Sequence, residues 1–171
     1  MAKVPKKIKM IENLKKFIQK NRLDGYIVPK NDKYFTEYSN VNNLMKVSNF
    51  SGSAGFALIL SKKNYLFVDG RYTLQAKKQS GKNFVICEIP NVWPKDVLTN
   101  NNFRIGFDPK LFTQETLDKY FDDKINLVPI TFKFPNKNKK NENKFYELEK
   151  SVTGETMNSK VDKLRKILKK K

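Results

Sequence analysis

The sequence predicts an α/β fold, a mixed β-sheet of about six strands flanked by helices. Three observations carry this. Short apolar runs that read as strands alternate with helix-spaced amphipathic segments from residue 8 to residue 130. Two of those runs, residues 56–60 and 65–68, are separated only by a polar turn, which makes them a hairpin and forces one antiparallel pair into the sheet. The runs are punctuated by Gly, Pro, Asn and Asp, residues that end ladders and cap helices. The hairpin is expected at the centre of the sheet, with the Gly/Ser-rich loop before it at the working end.

In order, Ile8, Ile11, Leu14 and Ile18 recur at helical spacing with Met10 and Phe17 alongside, while lysines and Asn13 fill the opposite face. That is an amphipathic helix ending near Asn21 or Arg22, with Asp24-Gly25 as the stop and turn. Residues 26–29 are a short strand whose ladder Pro29 stops, since it has no N–H to donate. Residues 30–48 are polar with Tyr34, Phe35 and Tyr38 interspersed; they read as a long surface loop with a helical turn over 43–47. The unbroken apolar run 56–60 suits a strand buried on both faces, and Lys62-Lys63-Asn64 turns the chain into the return strand 65–68. Asp69 can cap a helix over 71–79, with Gly81 just past its end.

Residues 84–89 are the next strand, closed by Pro90, and a short helix follows within 92–98, starting around Pro94. Residues 104–107 are a strand ended by Asp108-Pro109. Thr113 caps a helix over 114–122 with Leu117, Tyr120 and Phe121 inward, and 125–130 is the last strand. The organisation expected is a domain over 1–132, a Lys/Asn-rich linker or loop over 133–150, and an amphipathic helix over 151–171 that either starts a missing second domain or packs back on the first. In that helix Met157, Val161, Leu164 and Leu168 form a stripe with Ile167 beside it, capped by Thr156; the stripe needs a partner surface, which a second copy of the chain would also supply.

Across 171 residues the formal net charge is +18, which invites a nucleic-acid or acidic-surface reading. Lysines occur in nearly every segment, however, and arginines are few, so a broadly basic surface explains the charge without a nucleic-acid partner. Cys87 sits alone in an apolar run, which excludes an internal disulfide and fits a reducing compartment. There is no signal-peptide core and no apolar run of membrane-spanning length, so a soluble, cytoplasmic chain with no membrane partner is expected. The absence of histidine excludes Ser-His-Asp and Cys-His sites and histidine metal ligands.

The loop Ser51-Gly52-Ser53-Ala54-Gly55 lacks the spacing of a P-loop and enters a strand, so no helix N-terminus backs it for phosphate. Two readings stay open: a tight sheet-entry turn with small residues for packing, or a substrate-facing loop whose backbone approaches a ligand closely. Asp69 and Arg71 are likewise either a helix cap and a surface charge, or a guanidinium fork for a carboxylate.

Asp24-Gly25-Tyr26-Ile27-Val28-Pro29, Glu37-Tyr38, Phe50-Ser51-Gly52-Ser53-Ala54-Gly55, Asp69-Gly70-Arg71-Tyr72-Thr73-Leu74-Gln75-Ala76 and Gly106-Phe107-Asp108-Pro109 occur in that order. Together they resemble the N-terminal, creatinase-like domain of the cytosolic Xaa-Pro aminopeptidases. The resemblance covers most of the chain and implies a ribonuclease H-like mixed sheet. It implies a parent enzyme that removes the N-terminal residue preceding a proline. That enzyme's catalytic domain holds two divalent metal ions, usually manganese, through two Asp, one His and two Glu. A chain without histidine cannot assemble that set, so no catalytic or metal-binding residue is assigned here. The expectation is an inactive first domain, cut or split from such an enzyme, that acts with the family's second and catalytic domains on a proline-containing peptide. Carried over as walls of the substrate pocket are Phe50, Ser51, Gly52, Ser53 and Gly55, with Arg71 as a charge contact. Asn49 stands where relatives have a glycine, and Asn43 near where they carry an arginine.

Overall fold

Amphipathic spacing at the start of the chain produces helix α1 (Lys6–Lys20), which buries Leu14 and Ile18. It stops one step earlier than Asp24-Gly25: Arg22 takes φ 54°, and the Leu23 N–H returns to the Ile18 carbonyl. Gly25 is therefore not a turn residue but the first residue of β1 (Gly25–Pro29), where an added Cβ would lie 2.4 Å from the Leu60 side chain. Asp24 accepts from the Arg104 N–H at 2.8 Å and ties the start of β1 to the strand beside it. A computed structural model describes residues 6–36, 42–99, 102–135, 146 and 148–169. Glu37, Tyr38 and the Lys/Asn-rich run from residue 136 to 145 lie outside the described residues, as does the Ile8 side chain.

Further elements follow the apolar runs closely: α2 (Asn43–Ser48), β2 (Phe56–Leu60), β3 (Asn64–Asp69), a 3-10 turn (Gly70–Tyr72) leading into α3 (Thr73–Ser80), β4 (Val85–Ile89), α4 (Pro94–Val97), β5 (Arg104–Phe107), α5 (Gln114–Tyr120) and β6 (Asn126–Pro129). The strands form one sheet of six in the order β4-β3-β2-β1-β5-β6. Only β2 runs against the rest, and it makes two antiparallel ladders, with β1 and with β3, where the sequence pattern called for one. All other pairings are parallel. Pro29 is the last paired residue of β1, facing Phe56, and the strand stops there as its missing N–H predicts.

Period-two alternation assigns each strand's side chains to two apolar layers. Tyr26, Val28, Ala57, Ile59, Leu66 and Val68 pack on one face with residues of α1, α2 and α3. Ile27, Phe56, Leu58, Tyr65, Phe67 and Cys87 pack on the other with Leu98, Phe112, Leu117 and Phe121. Residues 43–48 of the expected surface loop are α2, the helical turn read there, and its Leu44 and Val47 are fully buried in the first of these layers. Tyr26 shows how the layers are pinned: its hydroxyl donates to the Ile130 carbonyl at 2.9 Å and accepts from the Phe132 N–H at 3.1 Å. Burial pushes its pKa up to about 12.

The chain divides into two compact units, Met1–Asn136 and Lys137–Lys171. In the second, α6 (Lys150–Thr153) precedes α7 (Met157–Leu168), whose first turn is capped by the Thr156 side chain on the Ser159 N–H. The α7 stripe of Met157, Leu164, Ile167 and Leu168 is exposed. Among the described residues no helix is long and apolar enough to cross a membrane.

Candidate functional site

Because β2 opposes its neighbours, its first residue lies at the end of the sheet where β1, β3, β4 and β5 finish. The Gly/Ser loop, the Asp69-Gly70-Arg71 turn, the segment after Pro29 and the segment after Phe107 all gather there. Carboxyl ends of parallel strands, at a point where the chain reverses its direction of sheet growth, are the usual place for a crevice.

Loop entry is set by Asn49, which ends α2 at φ 68° with its N–H on the Met45 carbonyl. Asparagine tolerates that left-handed backbone better than most residues other than glycine. Phe50 then turns inward and is fully buried, edge-on to Tyr72 at 5.8 Å. Gly52 lies against its ring, so that an added Cβ would come 2.2 Å from Phe50 Cζ. Ser51 faces α3: its N–H donates to Gln79 Oε1 at 2.9 Å, and its Oγ accepts from Gln75 and Gln79 amides at 3.0 and 2.9 Å. Ser53 shares a 2.7 Å hydrogen bond with the Tyr72 hydroxyl. Gly55, at φ 141°, brings the backbone so near β3 that a Cβ would meet the Phe67 carbonyl at 2.8 Å.

Asp69 caps the 3-10 turn that leads into α3, and it is also the carboxylate that the Arg71 fork holds. Its carboxylate accepts from the Arg71 N–H at 3.0 Å and from the guanidinium at 3.1 and 2.7 Å. The Arg71 side chain holds that carboxyl below the usual carboxylate range. The fork therefore grips a carboxylate of its own chain, with the guanidinium 5.4 Å from the Tyr72 ring.

A cleft of about 720 Å³ opens beside this loop. Of the six residues carried over by resemblance, Ser53 and Gly55 line it; Phe50 and Gly52 lie in the packing beneath, Ser51 is directed to α3, and Arg71 is paired with Asp69. Much of the other lining was not assigned to a site from the sequence: Lys30, Asn31, Phe35 and Thr36 after β1, and Leu111, Phe112, Thr116 and Tyr120 around α5. Asn31 joins these two segments, its amide donating to the Leu111 carbonyl at 3.0 Å across eighty residues. One sequence signal was present, a run of aromatic residues directly after a strand's carboxyl end. Phe35 also adopts φ 59°, a costly conformation for a bulky residue, held by Asp32, whose carboxylate accepts from the Tyr34 and Thr36 N–H groups.

The donor chemistry does not suit a metal ion. There is no histidine in the chain, and among the described residues no three Asp, Glu, Cys or His side chains gather in one place. No step through a metal is derived for these residues.

The family model for the creatinase/prolidase N-terminal domain matches residues 10–132. The chain belongs to that family. It is 30% identical over 188 residues to Xaa-Pro aminopeptidase 1 of Dictyostelium discoideum, covering 95% of this chain and 30% of that one. In structure it is similar to an X-prolyl aminopeptidase from Caenorhabditis elegans, described as a cytosolic enzyme with a di-nuclear active site, with TM-score 0.72 and 23% identity over 95% of this chain and 31% of that one. It is also similar to the N-terminal domain of a cytoplasmic peptidase from Mycobacterium tuberculosis, with TM-score 0.56 and 23% identity over 72% of this chain and 93% of that one. The chain spans less than a third of the length of the curated relatives it matches first. As a creatinase/prolidase N-terminal domain it has the mixed sheet expected of that fold.

Proposed function

We propose that this chain is the noncatalytic N-terminal domain of a metal-dependent Xaa-Pro aminopeptidase and shapes how peptides reach a catalytic domain elsewhere. The observation that carries this is the family match over residues 10–132, in a chain covering only about 30% of a full-length relative. On this reading the domain proper is 1–132, residues 133–150 are linker, and 151–171 begin the next domain. The catalytic domain, in cis or as a separate chain, supplies two divalent ions, manganese being the family's usual choice, and the ligands that hold them. The work takes place in the cytoplasm.

Within that enzyme, this domain's residues bind and orient rather than react. The Gly/Ser loop is a rigid wall: Phe50 and Gly52 anchor it below, and Ser51 fastens it to α3 through Gln75 and Gln79. Rigidity of this kind favours positioning, since a wall that moves by an ångström loses most of its orienting effect. The test is a chimera in which residues 1–171 replace the matching segment of the Dictyostelium enzyme. It is expected to cleave Xaa-Pro peptides, and to lose turnover when the same segment is deleted. A folded, metal-loaded chimera that cleaves nothing contradicts the proposal.

A further inference from the structure

Composition suggests an even spread of lysine, but the fold does not distribute its charge evenly between the two ends of the sheet. At the cleft end, the segments after β1, β3 and β5 carry Lys30, Lys33, Arg71 and Lys110 against Asp32, Asp69 and Asp108. The opposite end, where β2 finishes and β3 and β4 begin, has no such balance. Three segments meet there: the last turns of α1, the β2–β3 turn and the exit from α3. Residues 13–23, 61–64 and 77–84 contain no Asp or Glu. Hydrogen bonds fasten the three together. Lys15 Nζ donates to the Ser61 carbonyl at 2.9 Å and ties α1 to the turn. The Leu60 N–H closes the turn on the Lys63 carbonyl at 3.0 Å. Asn64 Nδ2 donates to the Asn83 carbonyl at 3.1 Å and ties the turn to the loop before β4. Exposed Lys62, Lys63, Lys77, Lys78 and Lys82 are thereby gathered on one rim. Among the described residues the ion pairs lie elsewhere. The carboxyl end of α3 accounts for Lys77 and Lys78, since cations favour a helix C-terminus. Lys63 lies over the Tyr65 ring at 5.2 Å. Lys62 and Lys82 serve neither purpose, and like charges held this close repel until an anion is bound. The β5–β6 side of the same end is balanced, with Arg104 and Lys124 beside Asp24, Asp122 and Asp123.

We propose that this lysine rim binds the phosphate backbone of a nucleic-acid duplex without reading its sequence. Residues 61–64 and 77–84 expose no large apolar side chain, so they offer neither a wedge for lipid nor a ring on which an unpaired base could stack. They also hold no arginine, and so no fork for a single carboxylate. What they offer is a row of ammonium point charges. From β2 to β4 the rim crosses two strand spacings, about 10 Å, and α1 extends it to roughly 15 Å. One strand of a duplex presents about four phosphates over that length. The rim lies at the far end of the sheet from the cleft, so the proposal is independent of the peptidase reading.

The test titrates the full 171-residue chain into a fluorescein-labelled 20-base-pair DNA duplex of mixed sequence, following anisotropy between 50 and 200 mM NaCl. Saturable binding with a Kd of about 1–100 µM at 100 mM salt is expected. A triple variant, Lys62→Gln with Lys63→Gln and Lys82→Gln, removes three charges from the rim. It is expected to bind about tenfold or more weakly at 100 mM salt and to flatten the slope of log K against log salt by about 2–3. A control triple, Lys33→Gln with Lys110→Gln and Lys119→Gln, removes the same charge from exposed positions on other segments. Its affinity is expected to change by less than about threefold, because charges beyond a Debye length are screened. Dispersed amide spectra verify that each variant is folded; Lys62→Gln alone, with a slope change of about 0.9, serves if the rim triple is not. No saturable binding up to about 200 µM chain overturns the proposal. So do equal losses in the two triples, which would show that the charge acts as a whole, or tighter binding to vesicles containing phosphatidylserine than to the duplex.

Discussion

Tyr26 and Gly55 are single residues on which the surrounding geometry depends. Tyr26 is buried with its hydroxyl bonded on both sides, and its folded pKa of about 12 lies above the ordinary value near 10. The neutral form is the one the fold favours. An acid raised in this way contributes stability that is whole below pH 10 and is lost as pH rises from 10 through 12. Tyr26→Phe is expected to lower the unfolding free energy by about 1–2 kcal/mol at pH 8, because it strands the Phe132 N–H. The gap between the two proteins should then narrow as urea titrations are repeated towards pH 12; a gap constant with pH would contradict this. Gly55→Ala meets both a forbidden backbone region and the Phe67 carbonyl, so a cost of about 1–3 kcal/mol is expected in the same assay. An unchanged midpoint would show that the loop is not held as described.

At the scale of elements, the strands were legible because fully buried sheet strands are unbroken apolar runs, as at residues 56–60. Caps were legible where a short polar side chain directly precedes a helical turn: Thr113 and Thr156 cap α5 and α7, and Asp69 caps the 3-10 turn before α3, while α3 itself starts behind Tyr72 without a side-chain cap. Where the reading failed, tertiary context decided. Gly25 reads as a turn because glycine usually marks one, yet here it makes room for Leu60 across the ladder. The helical turn read over 43–47 is present as α2, but it reads as surface because one and a half turns are too short for a periodic signal, and only packing shows that Leu44 and Val47 are core. Leu44→Ala is accordingly expected to cost about 2–5 kcal/mol, the range of a core truncation. A loss below about 0.5 kcal/mol, typical of surface positions, would return α2 to the surface.

For the whole molecule, the cleft was only half legible. Ser53 and Gly55 drew notice through a local motif, whereas Asn31, Phe112 and Tyr120 meet only because β1 and β5 are neighbours in the sheet. No spacing in the sequence encodes that meeting. The same topology puts the loop, the Asp69–Arg71 pair and the cleft at one end, where among the described residues no three Asp, Glu, Cys or His side chains gather. The central claim is that these residues guide a peptide and that the chemistry belongs to another domain. The most direct measurement is release of the first residue from an Xaa-Pro peptide by the purified 171-residue chain with added manganese. No release above the buffer rate is predicted; release that persists at constant specific activity through repurification would contradict the claim.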